Sequence, residues 1–167
     1  MKCKVDSRCP NLREAVEKLL DAMNGTRDCC AIIRHMITEQ TQPSAFDLIG
    51  GSAKLRELVD RFYDLMDLEP EFSVIRALHP TPLDGSRDKL YWFLSGWTGG
   101  PDLYTDRFGH PRLRARHLPY TIASAERDQW LRCMALAMQD VDIEETLQER
   151  LMQSFYQTAD WMRNKQG

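Results

Sequence analysis

A chain of 167 residues, 43% of them hydrophobic and nine of them glycine, has room for one domain with a real core and is too apolar for disorder. Its 22 Lys and Arg against 25 Asp and Glu leave a formal charge of -3, so no global attraction draws it to nucleic acid or acidic membrane. No stretch approaches the roughly 18 apolar residues of a membrane span, and the charged opening "MKCKVDSRCPNLREAVEKLL" is no signal peptide, which points to the cytoplasm and away from a membrane partner.

Apolar residues recur at helical spacing along nearly the whole chain, and sustained period-two alternation of β-branched residues is missing, so the fold class is all-α. Leu12, Val16, Leu19, Leu20 and Met23 predict an amphipathic helix ended by Gly25. The polar, Pro-containing seam around "MITEQTQPSAF" divides the chain into an N-terminal extension, residues 1–35, a linker, residues 36–45, and a domain, residues 46–167. Met36 is a plausible start, which makes the extension read as an appended leader. Cys3, Cys9, Cys29, Cys30 and Cys133 lack CxxC spacing and a nearby His pair, and are expected as reduced thiols.

In "SAFDLIGG", Ser44 and Asp47 predict a capping box on a very short helix, and Gly50 and Gly51 turn the chain. A long helix follows, with Leu55, Leu58, Val59, Phe62 and Met66 on one face. The next begins near "LDGSRDKL", capped by Asp84 or Ser86, buries Leu90, Phe93, Leu94 and Trp97, and stops at "TGGP". Ser124 is the expected N-cap of a helix with Glu126 in its first turn and Trp130, Cys133, Met134 and Ala137 on one face. The last helix carries Leu147, Leu151, Phe155, Ala159 and Met162.

Several residues admit two readings. His79 precedes a proline and belongs to a turning segment, either as a surface histidine or as a pocket group between the flanking helices. Tyr63 and Trp130 sit beside apolar stripes, where each either buries its ring in the core or aims a polar donor into a cavity. The stretch "GHPRLRARHLPY" crowds His110 and His117 among arginines. It lacks interleaved aromatics and stands in an acidic chain, which argues against nucleic acid and leaves a solvated connection or a histidine with a specific task.

The segments "GGSAKLRELVDRFYDLM", "ALHP", "KLYWFLSGWTGGPDLYTDRFGHPRLRARHLPYTI" and "ERDQWLRCM" occur in an order and spacing that resemble a group II truncated haemoglobin, over roughly residues 46 to 160. The resemblance implies a two-over-two antiparallel helical sandwich around haem b, with the first helix nearly absent and the proximal helix reduced to a turn after a long loop. It implies His117, in the "RxRH" segment, as the ligand of the haem iron, with His110 outside the coordination sphere. Pro111 and Pro119 then bracket the short helix that carries the ligand.

On the distal side the resemblance implies Tyr63, His79 and Trp130 as a polar trio, the tryptophan marking group II. Histidine at position 79 is a minority choice in the family, and adds a donor whose protonation varies near neutrality. Ser86 is small and leaves a side gate, while Leu90, Phe93 and Leu94 form an apolar wall. Lys89 and Arg116 are expected at the two propionates.

The implied function is reversible binding of dioxygen, NO and CO with high oxygen retention. Oxidation of NO to nitrate and a peroxidase-like cycle are the candidate redox chemistries, served by an unidentified reductase, in a monomer or homodimer. The alternative is a helical interaction module in which the helix Leu12 to Met23 docks a partner and haem is incidental.

Overall fold

The computed structural model describes residues 42–166. The helix expected over Leu12 to Met23, and with it the interaction-module alternative, lies outside the described residues. Those described are helical or irregular, with no strand among them.

Helix α1 (Ala45–Ile49) is a single short turn, set by the capping box its sequence predicts. The Ser44 hydroxyl accepts the Asp47 N–H at 3.1 Å, and the Asp47 carboxylate accepts the Ser44 N–H at 3.1 Å. Such a cap is worth about 1 kcal/mol. Gly50, at φ 111°, reverses the chain in the left-handed region and launches α2 (Gly51–Leu68).

The expected stripe of α2 is buried, together with Tyr63 and Leu65. Phe62 is fully enclosed, which contributes about 1.5–3 kcal/mol by removal from water. Pro70 follows the helix end and opens a 3-10 turn (Pro70–Phe72) that leads into α3 (Ser73–Ala77).

Helix α4 (Asp84–Trp97) begins where Asp84 predicts, but no side chain caps it. Asp84 instead places a carboxylate in the first turn, beside the positive end of the helix. Of the four apolar residues expected inside, Leu94 alone is fully buried; Leu90, Phe93 and Trp97 are half-buried because they front a cavity. The helix ends where the Thr98 hydroxyl donates to the Leu94 carbonyl at 2.7 Å. Gly100 then passes so close to the Phe46 ring that a Cβ there would lie 2.5 Å from it.

Two short helices follow, α5 (Leu103–Phe108) and α6 (Leu113–His117). The five residues of α6 lie between Pro111 and Pro119, as the bracketing prolines predict. In α7 (Ser124–Asp140) the cap falls one residue earlier than expected, at Ala123, because the Glu126 carboxylate reaches back to accept the Ala123 N–H at 2.8 Å. Ser124 is the first helical residue, not the cap. Glu144 caps α8 (Glu145–Met162), its carboxylate accepting the Thr146 and Leu147 N–H groups at 2.9 Å each.

Helix α2 pairs with α4 and α7 pairs with α8, while α2 also packs on α7 to join the two layers. Ion pairs lace α2 to α4: Arg56 to Asp88 at 2.7 Å and Arg87 to Asp64 at 2.6 Å. Each exposed pair adds little energy, but together they fix how the two helices lie along each other. This is the two-over-two arrangement expected of the sequence.

Candidate functional site

Between the layers lies a cavity of about 510 Å³, within the range of about 300–1,000 Å³ usual for small-molecule and cofactor sites. Tyr63, His79, Ser86, Lys89, Leu90, Phe93, Leu94, Arg116, His117 and Trp130, all ten residues that the resemblance places around the haem, line it. His110 does not. It lines a neighbouring surface groove instead, where its Nδ1 accepts the Arg112 N–H at 3.1 Å.

His117 ends α6, and its Nδ1 lies 2.7 Å from the Leu113 carbonyl one turn earlier. A carbonyl oxygen can only accept, so Nδ1 carries the hydrogen and the neutral ring keeps Nε2 bare. This is the state of an imidazole ready to ligate a metal, with its tautomer set by the backbone. Asn164, beyond α8, holds the segment that follows: its Nδ2 donates to the Tyr120 carbonyl at 2.7 Å and to that of His117 at 3.3 Å.

Across the cavity, α2 presents Tyr63, whose ring meets Phe62 edge-on at 5.0 Å and His79 edge-on at 5.6 Å. Burial raises the Tyr63 phenol well above its usual range, opposed by the nearby Arg87 guanidinium and by a hydrogen bond with the Ser86 side chain. The hydroxyl is therefore protonated, a donor rather than an anion. Ser86 is thus a partner of Tyr63 as well as a small residue on the lining. Trp130 of α7 packs against Phe62 at 5.4 Å and Phe155 at 5.5 Å, and its indole N–H can only donate.

His79 repeats the device of His117. Its Nδ1 lies 2.8 Å from the Ile75 carbonyl, so in the neutral ring Nε2 is an acceptor. Burial lowers its basicity, with Arg76 and His117 adding to the effect and the Ile75 bond opposing it. The donor expected at this position exists in the imidazolium alone, which burial disfavours.

Lys89 and Arg116 are exposed residues on the lining, so their cationic ends reach solvent at the cavity mouth. Arg116 is anchored by its Nε donating to the Pro111 carbonyl at 3.0 Å. The sequence reading missed Tyr104, Glu126 and Thr158 on the lining; Phe155, Ala159 and Met162 were visible as a helical stripe, but the stripe did not reveal that it fronts a cavity.

The donor set decides which kind of group fits. Among the described residues no three His, Cys, Asp or Glu converge as a metal site. A single imidazole can hold a metal firmly only when the metal's other donors arrive with it, in a macrocycle. A largely apolar cavity with one bare imidazole nitrogen and cations at its mouth suits a flat, carboxylate-bearing metallomacrocycle.

Comparison with known proteins points the same way. The sequence model of the bacterial-like globin family matches residues 44–164. The group 2 truncated haemoglobin YjbI of Bacillus subtilis is 39% identical over 115 residues, covering 69% of this chain and 85% of that one. The group II 2-on-2 haemoglobin of Agrobacterium tumefaciens superposes with TM-score 0.72 at 40% identity, over 77% of this chain and 99% of that one. A truncated oxygen-avid haemoglobin from Bacillus subtilis superposes with TM-score 0.66 at 38% identity, over 73% of this chain and 100% of that one.

Proposed function

This chain belongs to the bacterial-like globin family, in its group II truncated branch, and on that premise we propose that it holds haem b through His117 and retains dioxygen tightly. As a member of that family it is a haem protein that binds oxygen. The observation that carries the assignment of His117 is its backbone-fixed tautomer on the cavity wall.

Haem supplies a ferrous iron that binds dioxygen, NO and CO reversibly. The chain's own residues do the rest. His117 offers Nε2 to the metal while Leu113 holds the other ring nitrogen. Lys89 and Arg116 offer charge to the propionates at the mouth. Leu90 and Phe93 exclude water from one wall.

Tyr63 and Trp130 donate into the space where a diatomic guest gathers partial negative charge. In an enclosed, weakly polar setting such donors act strongly. Each is worth about 1.5–3 kcal/mol toward a charged acceptor, which slows escape and favours sensing, scavenging or redox chemistry over bulk delivery. NO oxidation is one such chemistry, and it needs an external reductase to restore the ferrous state. The oxygen-avid relative is consistent with tight retention.

The test is colour and its loss. Purified protein shows a Soret band at one haem per chain; His117→Ala loses stable ligation and His110→Ala keeps it. Equal loss in both variants, or a protein that never takes up haem, refutes the assignment.

A further inference from the structure

His79 brings to the cavity lining a base that dioxygen retention does not use. Tyr63 and Trp130 are donors, and Ser86 is bonded to Tyr63. Glu126, the carboxylate on the lining, is committed through Oε2 to the Ala123 N–H at the head of α7. His117 spends its bare nitrogen on the metal. His79 has its Nδ1–H tied to the Ile75 carbonyl at 2.8 Å and lines the same cavity.

We propose that His79 is a proton acceptor for weak acids that enter this cavity: its Nε2 takes the proton of a molecule HX, a hydroperoxide or hydrogen cyanide, and so yields the anion X⁻ for which a ferric haem held by His117 would supply the binding site. The inference rests on the haem assignment above. The step is proton transfer alone, HX and neutral imidazole giving X⁻ and imidazolium, with no electron moved and no bond broken except H–X. The new Nε2–H then donates back to the anion, so the residue that helps form X⁻ also holds it.

The surroundings suit this task. The groups that face His79 are Tyr63, protonated and edge-on at 5.6 Å, Arg76 on its own segment, and His117 across the cavity. None of these three is an anion, and Glu126, the carboxylate on the same lining, is held by the Ala123 N–H. Burial keeps the ring neutral and therefore ready to accept. The Ile75 carbonyl, already hydrogen-bonded to Nδ1–H, stabilises the positive charge once the proton arrives. A tyrosine or phenylalanine at this position has no comparable base.

The experiment follows ligand binding by the ferric holoprotein at neutral pH, monitored by stopped-flow absorbance of the Soret band. Cyanide enters as undissociated HCN and must lose a proton; azide is already an anion and needs no base. In His79→Phe, and in the polar His79→Gln that guards against a packing artefact, the ratio of cyanide to azide association rates falls about 10²-fold, the lower end of general-base catalysis. Hydrogen peroxide follows cyanide. An unchanged ratio in both variants overturns the proposal. So does faster binding of every ligand together with loss of a low-spin ferric spectrum, which would make His79 an axial ligand. A protein with no Soret band at all refutes the haem assignment instead, and the two failures are distinguishable.

Discussion

Asn164 and His117 are tied together across 47 residues of chain. The Asn164 amide donates to the His117 carbonyl at 3.3 Å and to the Tyr120 carbonyl at 2.7 Å, and its oxygen accepts the Ile122 N–H at 3.1 Å. One side chain after the last helix thus fixes the exit of the short helix that presents the imidazole. Asn164→Ala removes these three hydrogen bonds, while the His117 carbonyl keeps the Tyr120 N–H at 3.1 Å, at a cost of about 0.5–1.5 kcal/mol per bond. The expected outcome is a lower urea midpoint and faster haem loss to an acceptor globin, with the Soret maximum unmoved. Haem loss at the wild-type rate would show that the latch does not support the proximal segment.

Tyr63 and Trp130 reach the cavity from different layers, α2 and α7, and both contact Phe62. Replacement of each by Phe keeps an aromatic ring and removes the donor. Each single variant is expected to raise the dioxygen dissociation rate by about one to two decades, and the pair by about two to four, since each hydrogen bond to a partly anionic ligand carries about 1.5–3 kcal/mol. Ligand-replacement kinetics with CO measure this directly. A double variant that releases oxygen at the wild-type rate would remove the distal donors from the account of retention.

Much of the scaffold is legible in the sequence because it follows local rules. The Ser44 and Asp47 box, the Gly50 reversal, the α2 stripe and the Pro111 to Pro119 bracket depend on residues a few positions apart. The lining residues are legible through resemblance to a family, whereas periodicity alone puts Phe93 and Trp97 in the core. What stayed hidden depends on atoms brought together by folding. No spacing reveals that Asn164 reaches back to His117, that Ser86 meets Tyr63, or that a backbone carbonyl sets the His79 tautomer and turns an expected donor into an acceptor. The one-residue shift of the α7 cap has the same origin, since Glu126 satisfies the Ala123 N–H without needing Ser124.

The lowered basicity of His79 has a consequence for stability with a definite sign. The unfolded chain takes up a proton at this residue near the ordinary histidine value of about 6.5, while the folded chain, which buries the ring, binds it only at lower pH. Between those two values the unfolded state holds more protons, so stability falls as pH falls through about 6.5 and the loss levels off below the folded-state value. Glu144 and Asp160, whose carboxyls are held below their usual range by the α8 cap N–H groups and by Arg127 respectively, add their own acid-side losses. Those losses are common to the wild type and a His79 variant and cancel in the comparison. Urea unfolding of wild type and His79→Phe at pH steps between about 7.5 and 5 is therefore expected to show the steeper decline in the wild type, the two curves drawing together, or crossing, on the acid side. Parallel curves across that range would mean that His79 titrates alike in the folded and unfolded chain, and that its burial does not govern its charge.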